Sequence, residues 1–567
     1  MKLHFLRLAV VLACLSAMSH RASAAIYDTV FRASFEELAP ADTPANDAEA
    51  ARFLTQATFG PTTTEIALVR QLGYSHWLDR QLGMPITAAR PHIEALDAQL
   101  NLMVPQQDLN QNQRVDRFYL TALVGRDQLR QRMAWALSQI FVISDTNGAI
   151  GEEVIQMSEY WDLLARGGTG TYRQLINDVT FSPTMGKYLS HFRNRKAAGT
   201  RLPDENYARE VMQLFSIGLI ERNLDFTPIL LGGQPIPTYD QNTISQMAKV
   251  FTGFAYSDAS PTNIFTGTNT YLPMSCVQNE HDVGVKTVLS DAVLPANQIC
   301  GTDVGLMLNV INLHPNVAPF ISRQLIQRFV TSTPSSAYIQ RVATIFANNG
   351  NGERGDLGAV LLAILLDVDA RNSAPPANFG KLREPVLRLT ALWRAWDAVP
   401  PPPFVSGNPA VQQPALDVRI SNAARGMSQT PMRAPTVFNF YVPDFQQQGT
   451  IAAAGLFSPE FQITNESTVW AVGNTMYENS WNAYVTGTAR VDRPLLELAP
   501  LTALSGNPTG MIDLVNSRMM SGSMTTPTRT ALTTMLTTAP LSAATPIDRA
   551  RSLVYVASLA PEFTTQR

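Results

Sequence analysis

Carboxylates, an amide and a guanidinium crowd the stretch Pro203-Asp204-Glu205-Asn206-Tyr207-Ala208-Arg209-Glu210. Such side chains can do two kinds of work. A carboxylate serves as general acid, general base or ligand, and a guanidinium clamps an anion through two parallel hydrogen bonds. A second constellation, His281-Asp282 with Lys286, sets three polar groups around Gly284. Glu205, Glu210 and His281 are therefore the catalytic candidates, and Asn206, Arg209, Asp282 and Lys286 the binding candidates. A plainer use competes in each case. The first set can be a solvated helix face held by pairs three and four residues apart, and the second a satisfied turn.

The remaining motifs carry less. His76, His92, His191, His281 and His314 form no metal pair at helical spacing and no zinc-protease pattern, so neither a metal nor a cofactor is expected. His191 lies beside Arg193, Arg195 and Lys196, a basic turn that could receive a carboxylate or sulfate or stay a solvated patch. Asp108-Leu109-Asn110-Gln111-Asn112, with Asp116, starts like a calcium loop, but Gln113 replaces the turn glycine and Tyr119 the bidentate glutamate. Gly167 to Thr171 reads as a connector between helices, and Ser245 with Lys249 is a weak pair without a nucleophile elbow. Phe438, Phe440, Tyr441 and Phe445 crowd a Pro-flanked segment, where they are either buried or free to stack on sugar rings.

The elements that must position these residues are helices. From Pro203, which suits a first helical position, to Gly218, which supplies a stop, Tyr207, Val211, Leu214 and Phe215 share an apolar arc widened by Ala208 and Met212. Asn206, Arg209, Glu210 and Gln213 form a separate polar stripe. A second helix runs from Gln241 to Thr252 and ends at Gly253. Helical periods recur at Ala51 to Thr58, Pro61 to Leu72, Gln128 to Ile143, Glu152 to Leu164, Tyr172 to Phe181, Pro319 to Val330, Tyr338 to Ala347, Leu357 to Leu366 and Pro385 to Trp396. Strand patterns are few, the best being a short hairpin around Gly232-Gly233. The expected fold is mainly α: a single large helical body over 48–567 with long loops, at most a small β-hairpin, and a loop or seam near 398–413.

The N-terminal pattern predicts a protein exported from the cytoplasm. Lys2 and Arg7 precede an apolar run from Leu8 to Leu15, and Ala22-Ser23-Ala24 is a small-residue cleavage site, so residues 1–24 read as a signal peptide and 25–47 as a flexible tether. Formal net charge is −3, and shedding Lys2, Arg7 and Arg21 makes it more acidic. No basic block follows, which argues against nucleic acid as a partner. No later segment offers the roughly 20 uninterrupted apolar residues of a membrane span. Cleavage leaves Cys276 and Cys300, an even count in an oxidising compartment, so a disulfide between them is expected. The expected location is the periplasm or the outside of the cell.

Many ordered segments carry a resemblance. They are Ala51 to Gly60, Met133 to Val142, the Asp204 helix, Phe251-Thr252-Gly253-Phe254, His281 to Thr287, Arg354-Gly355-Asp356-Leu357, Leu365-Leu366-Asp367, Leu382-Arg383-Glu384-Pro385, Pro435 to Tyr441 and Ala560-Pro561-Glu562-Phe563. Together they make the chain resemble a large bacterial family known as domain of unknown function 1800. It departs at Gln213, where the family often has an acid, and at Asp369, where Glu is common. The resemblance implies an exported, largely helical protein, often encoded beside a secreted protein similar to sulfatases and alkaline phosphatases, and no established activity. The first reading is thus an exported protein that binds a partner or polymer at the cell envelope, the phosphatase-like neighbour among its partners. The alternative is an envelope hydrolase using Glu205, Glu210 and His281, and both stay open.

Overall fold

Apolar side chains on every side of a short helix force it into the middle of a structure, and Leu357–Leu366 is that helix here, with all of its residues buried. The computed structural model describes residues 42–403, 414–424, 426–481 and 493–567. The signal peptide, most of the expected tether and the larger part of the 398–413 loop lie outside the described residues.

The helices that matter below are α1 (Asp47–Ala57), α2 (Gln128–Ser138), α3 (Asn206–Gln213), α4 (Gln241–Val250), α5 (Cys300–Leu313), α6 (Val317–Phe329), α7 (Ser336–Ala347), α8 (Leu357–Leu366) and α9 (Pro385–Ala395). The chain is mainly helical. Asp356 caps α8 by accepting from the Ala359 amide, and Asn46 caps α1 in the same way from Glu49. Around α8 pack α6 and α7, and one buried apolar cluster includes residues from Ala50 through Phe563, with Trp77, Trp135, Trp393 and Trp396 fully buried.

Strand pairing among the described residues is confined to four short antiparallel ladders: β1 (Leu230–Leu231) with β2 (Gln234–Pro235), β3 (Phe254–Ala255) with β4 (Ser275–Cys276), β5 (Lys286–Thr287) with β6 (Val293–Leu294), and β7 (Lys381–Leu382) with β8 (Thr565–Gln566). The first is the hairpin at Gly232-Gly233. Both glycines there have positive φ, 60° and 82°, as a two-residue hairpin turn requires. The last ties the segment before α9 to the C-terminal residues.

Several boundaries differ from the periodicity, and two of them bear on the candidate sites. The helix expected from Pro203 starts at Asn206, because the Asp204 carboxylate takes the Asn206 amide and the Glu205 carboxylate is drawn sideways to α4. The helix expected to run to Ile143 stops at Ser138, where the Gln139 side chain turns into a buried polar network. No single helix among the described residues is long and apolar enough to cross a membrane.

Candidate functional site

The polar stripe of α3 divides between two environments. Glu205 accepts from Ser245 Oγ at 2.6 Å and Gln241 Nε2 at 2.8 Å, with Arg209 at 3.4 Å. These contacts, the Ser245 hydrogen bond first, hold its carboxyl below the usual value. It is a strut between α3 and α4. Asn206 is exposed, while Glu210 is buried with Oε2 unpartnered, and burial raises its carboxyl. A carboxyl raised by folding binds protons more tightly in the native state, so it weakens the fold as pH rises above the carboxylate range. Glu210→Gln is accordingly expected to raise Tm at neutral pH, with a gain that shrinks toward acid; a lower Tm at pH 7 would show that the charge is needed.

The second constellation is sealed except at Asp282, which is half-buried. His281, Lys286 and Asp303 have no exposed surface. Asp303 Oδ2 lies 3.0 Å from His281 Nε2 and 2.7 Å from Lys286 Nζ, and His281 Nδ1 meets the Thr252 carbonyl at 2.8 Å. Lys286 also donates to the carbonyls of Asp282 and Gly284. Cys276 and Cys300 are bonded beside it, with Cα atoms 6.0 Å apart. Asp303, on the first turn of α5, was not singled out in the sequence; an acid just after a helix-starting cysteine was the available signal. Among the described residues no hydrogen bond or ion pair joins Glu205, Arg209 or Glu210 to His281, Asp282 or Lys286. The sets meet opposite ends of α4 and do not converge.

Other candidates resolve as structural parts. Asn110 caps the helix Gln111–Val124 in a capping box with Gln113, and Asp116 accepts from the Ile420 and Ser421 amides, which removes it from any calcium loop. Thr171 caps the helix after the Gly167 connector. No group of His, Cys, Asp or Glu that could hold a metal occurs among the described residues.

The arrangement that can do chemistry lies elsewhere. A pocket of about 270 Å³ opens between the segment after α3, the turn through Arg222 and Phe226, the polar face of α6, and residues 437–444. Three guanidiniums line it. Arg323 sits 4.7 Å from the rings of both Phe226 and Phe457 and donates to Asp444 at 2.6 Å; Arg222 stacks on Phe226 at 4.2 Å. Arg328 donates to the carbonyls of Gln139 and Gln324, leaving Nε unpartnered. Ile140, Leu214, Phe320 and Val437 add apolar wall, and Phe438, 47% exposed, stands at the rim.

Behind the pocket runs a buried charge network. Tyr441 and Asn439, the latter at φ 69°, a left-handed conformation that Asn tolerates, both donate to Gln139 Oε1, at 2.9 and 3.2 Å. Gln139 donates in turn to Glu384 Oε2 at 2.9 Å, and Trp135 and Gln429 donate to the same oxygen at 3.0 and 2.9 Å. Lys381 lies 3.7 Å from Glu384 and 2.9 Å from Glu460. Burial alone would raise the Glu384 carboxyl, but Lys381 and Arg132, with the Gln429 and Gln139 amides, hold it below its ordinary value. Burial drives the Tyr441 hydroxyl well above its usual value, so it stays a neutral donor.

Arg222, Arg323, Arg328, Gln139 and Glu384 belong to none of the candidate motifs of the sequence. A signal existed for some. Arg323, Gln324, Gln327 and Arg328 form a polar row on α6, and Gln139, Glu384 and Tyr441 each fall in a segment that carries the resemblance. The sequence profile described as "Protein of unknown function (DUF1800)" matches residues 52–565, and the chain belongs to that family. No curated protein and no solved structure matches it.

Proposed function

We propose that this family member is an exported binding protein of the cell envelope, whose pocket receives an acidic sugar residue of an anionic polymer. One observation carries the reading: three guanidiniums face a pocket with a single lining carboxylate, Asp444, amid aromatic walls. Guanidiniums take a carboxylate or sulfate through paired hydrogen bonds, and an exposed ring such as Phe438 supplies a face on which a sugar can stack. The leader sequence and the cysteine pair support an envelope location, and the phosphatase-like neighbour would meet the same polymer there. Support for the hydrolase reading is weaker, because Glu205 is engaged with α4, His281 is sealed, and the two share no pocket.

Calorimetric titration of a uronic-acid tetrasaccharide against a neutral tetrasaccharide tests this. Binding is expected for the acidic chain only, to weaken with added salt, and to fall by about 10- to 100-fold in Arg222→Gln, since a hydrogen bond to a charged group contributes about 1.5–3 kcal/mol. Equal binding of the neutral chain, or an unchanged Kd in Arg222→Gln, would end the proposal.

A further inference from the structure

Leu382-Arg383-Glu384-Pro385 sends adjacent charges in opposite directions. Glu384 enters the network behind the pocket just described. Arg383 points to the other side, into a separate cavity of about 710 Å³ bounded by α1, the turn at Ser373 to Pro375, the segment around Ser521 to Thr525 and the C-terminal strand.

Arg383 is only 5% exposed. Its guanidinium lies 4.9 Å from the Phe563 ring and, among the described residues, makes no hydrogen bond or ion pair, and its Nε is enclosed without a partner there. The charged neighbour it feels is another cation, Arg388; burial first, and then Arg388, push its guanidinium down to about 9. The other two arginines of the cavity are anchored. Arg52 donates to the carbonyls of Ala370 and Asn372, and Arg567 to those of Pro375 and Pro376. The carboxylates on the wall are committed as well. Glu49 accepts from the Ala45 amide, and Glu562 accepts from the Thr525 amide and from the hydroxyls of Thr525 and Thr528.

A buried charge without a counter-charge is strongly unfavourable unless something pairs with it. Among the described residues nothing does, and the cavity gives a ligand access to it. We propose that this cavity is an oxyanion-binding site, with Arg383 as its inner cation and Arg52 and Arg567 as its flanking charges. A planar guanidinium fork matches a carboxylate, sulfate or phosphate group edge to edge. The cavity has room for more than an inorganic ion, so the oxyanion fits as a group carried on a larger polar molecule as well as free. The site is independent of the pocket lined by Arg222.

Thermal shift of the full chain in sodium sulfate, against sodium chloride at matched ionic strength, tests the proposal, with a monosulfated disaccharide as second probe. The wild-type Tm is expected to rise saturably with sulfate. A disaccharide that binds at least tenfold tighter than sulfate assigns the site to a sulfated molecule, and equal affinity assigns it to the free ion. Arg383→Met, which removes the unpaired charge and keeps the volume, is expected to melt at or above the wild type in chloride and to need at least tenfold more sulfate for the same shift. Arg166→Gln, at an exposed arginine that pairs with Glu159 and lines neither cavity, should respond as wild type does. Should Arg383→Met fail to fold, Arg567→Gln, at the surface, decides: a fivefold weaker response supports the site, and an unchanged one rejects it. No saturable shift in the wild type, or a folded Arg383→Met that keeps the wild-type midpoint, overturns the proposal.

Discussion

Glu384→Gln is expected to cost about 3–5 kcal/mol at neutral pH, the largest effect of any single substitution proposed for this protein. The carboxylate is fully buried and compensates Lys381 and Arg132 while one of its oxygens collects Trp135, Gln139 and Gln429. The amide keeps the shape and removes the charge, so two buried cations lose their shared counter-charge and one donor must turn away. The same contacts dictate an acid response. Because the folded carboxyl is held below its ordinary 4.5, its contribution is complete above that value and is lost as pH falls through the folded value. Urea melts over a pH series check both points. The variant should have a lower midpoint at pH 7 and a flatter acid limb. Equal midpoints at pH 7 would show that Glu460 carries the network alone. Because Gln139 links Glu384 to Tyr441 and Asn439, a folded Glu384→Gln protein should also bind the acidic tetrasaccharide less tightly.

A second large effect belongs to His191. The sequence places it in a basic turn, but its ring is buried, packed at a tilt against Tyr207 with ring centroids 3.9 Å apart, with Nε2 2.8 Å from the Thr180 carbonyl and Nδ1 unpartnered among the described residues. The ring is therefore neutral, with its proton on Nε2. Burial takes its pKa from 6.5 to about 4. Between those values the unfolded chain binds a proton that the native ring refuses, so stability is complete above pH 6.5 and falls as pH drops toward 4. The loss comes to about 3 kcal/mol. His92 and His314 are lowered to about 4 as well, chiefly by burial, and steepen the same limb. His191→Phe keeps a ring on Tyr207, costs about 1 kcal/mol at neutral pH for the lost hydrogen bond, and should flatten the decline between pH 6.5 and 4. An unaltered slope in Tm against pH would mean that the native ring takes up the proton after all.

The residues themselves show how far the chain could be read before folding. Helical class is local information: a 3.6-residue period at Tyr172 to Phe181 or Pro385 to Trp396 is visible in ten or twelve positions, and both segments form helices. Family membership is local too, since it rests on short segments in a fixed order. The polar stripe of α3 was equally visible, but which partner each side chain meets was not. Glu205 is tied to α4 through Ser245, and His281 is closed off by Asp303, a residue from the next helix.

By itself the sequence determined the family and the helical class, because both are written in neighbouring residues. The pockets belong to the tertiary structure alone. Gln139, Arg222, Arg323, Glu384 and Tyr441 are scattered along the chain and come together only when α2, α6 and the segments before α9 and after Pro435 pack around one another. Packing also decided that Glu384 and Arg383, adjacent in sequence, serve different cavities. In an extended segment successive side chains point to opposite sides, and the core on one side of this one supplies amides and cations, while the cavity on the other supplies no counter-charge.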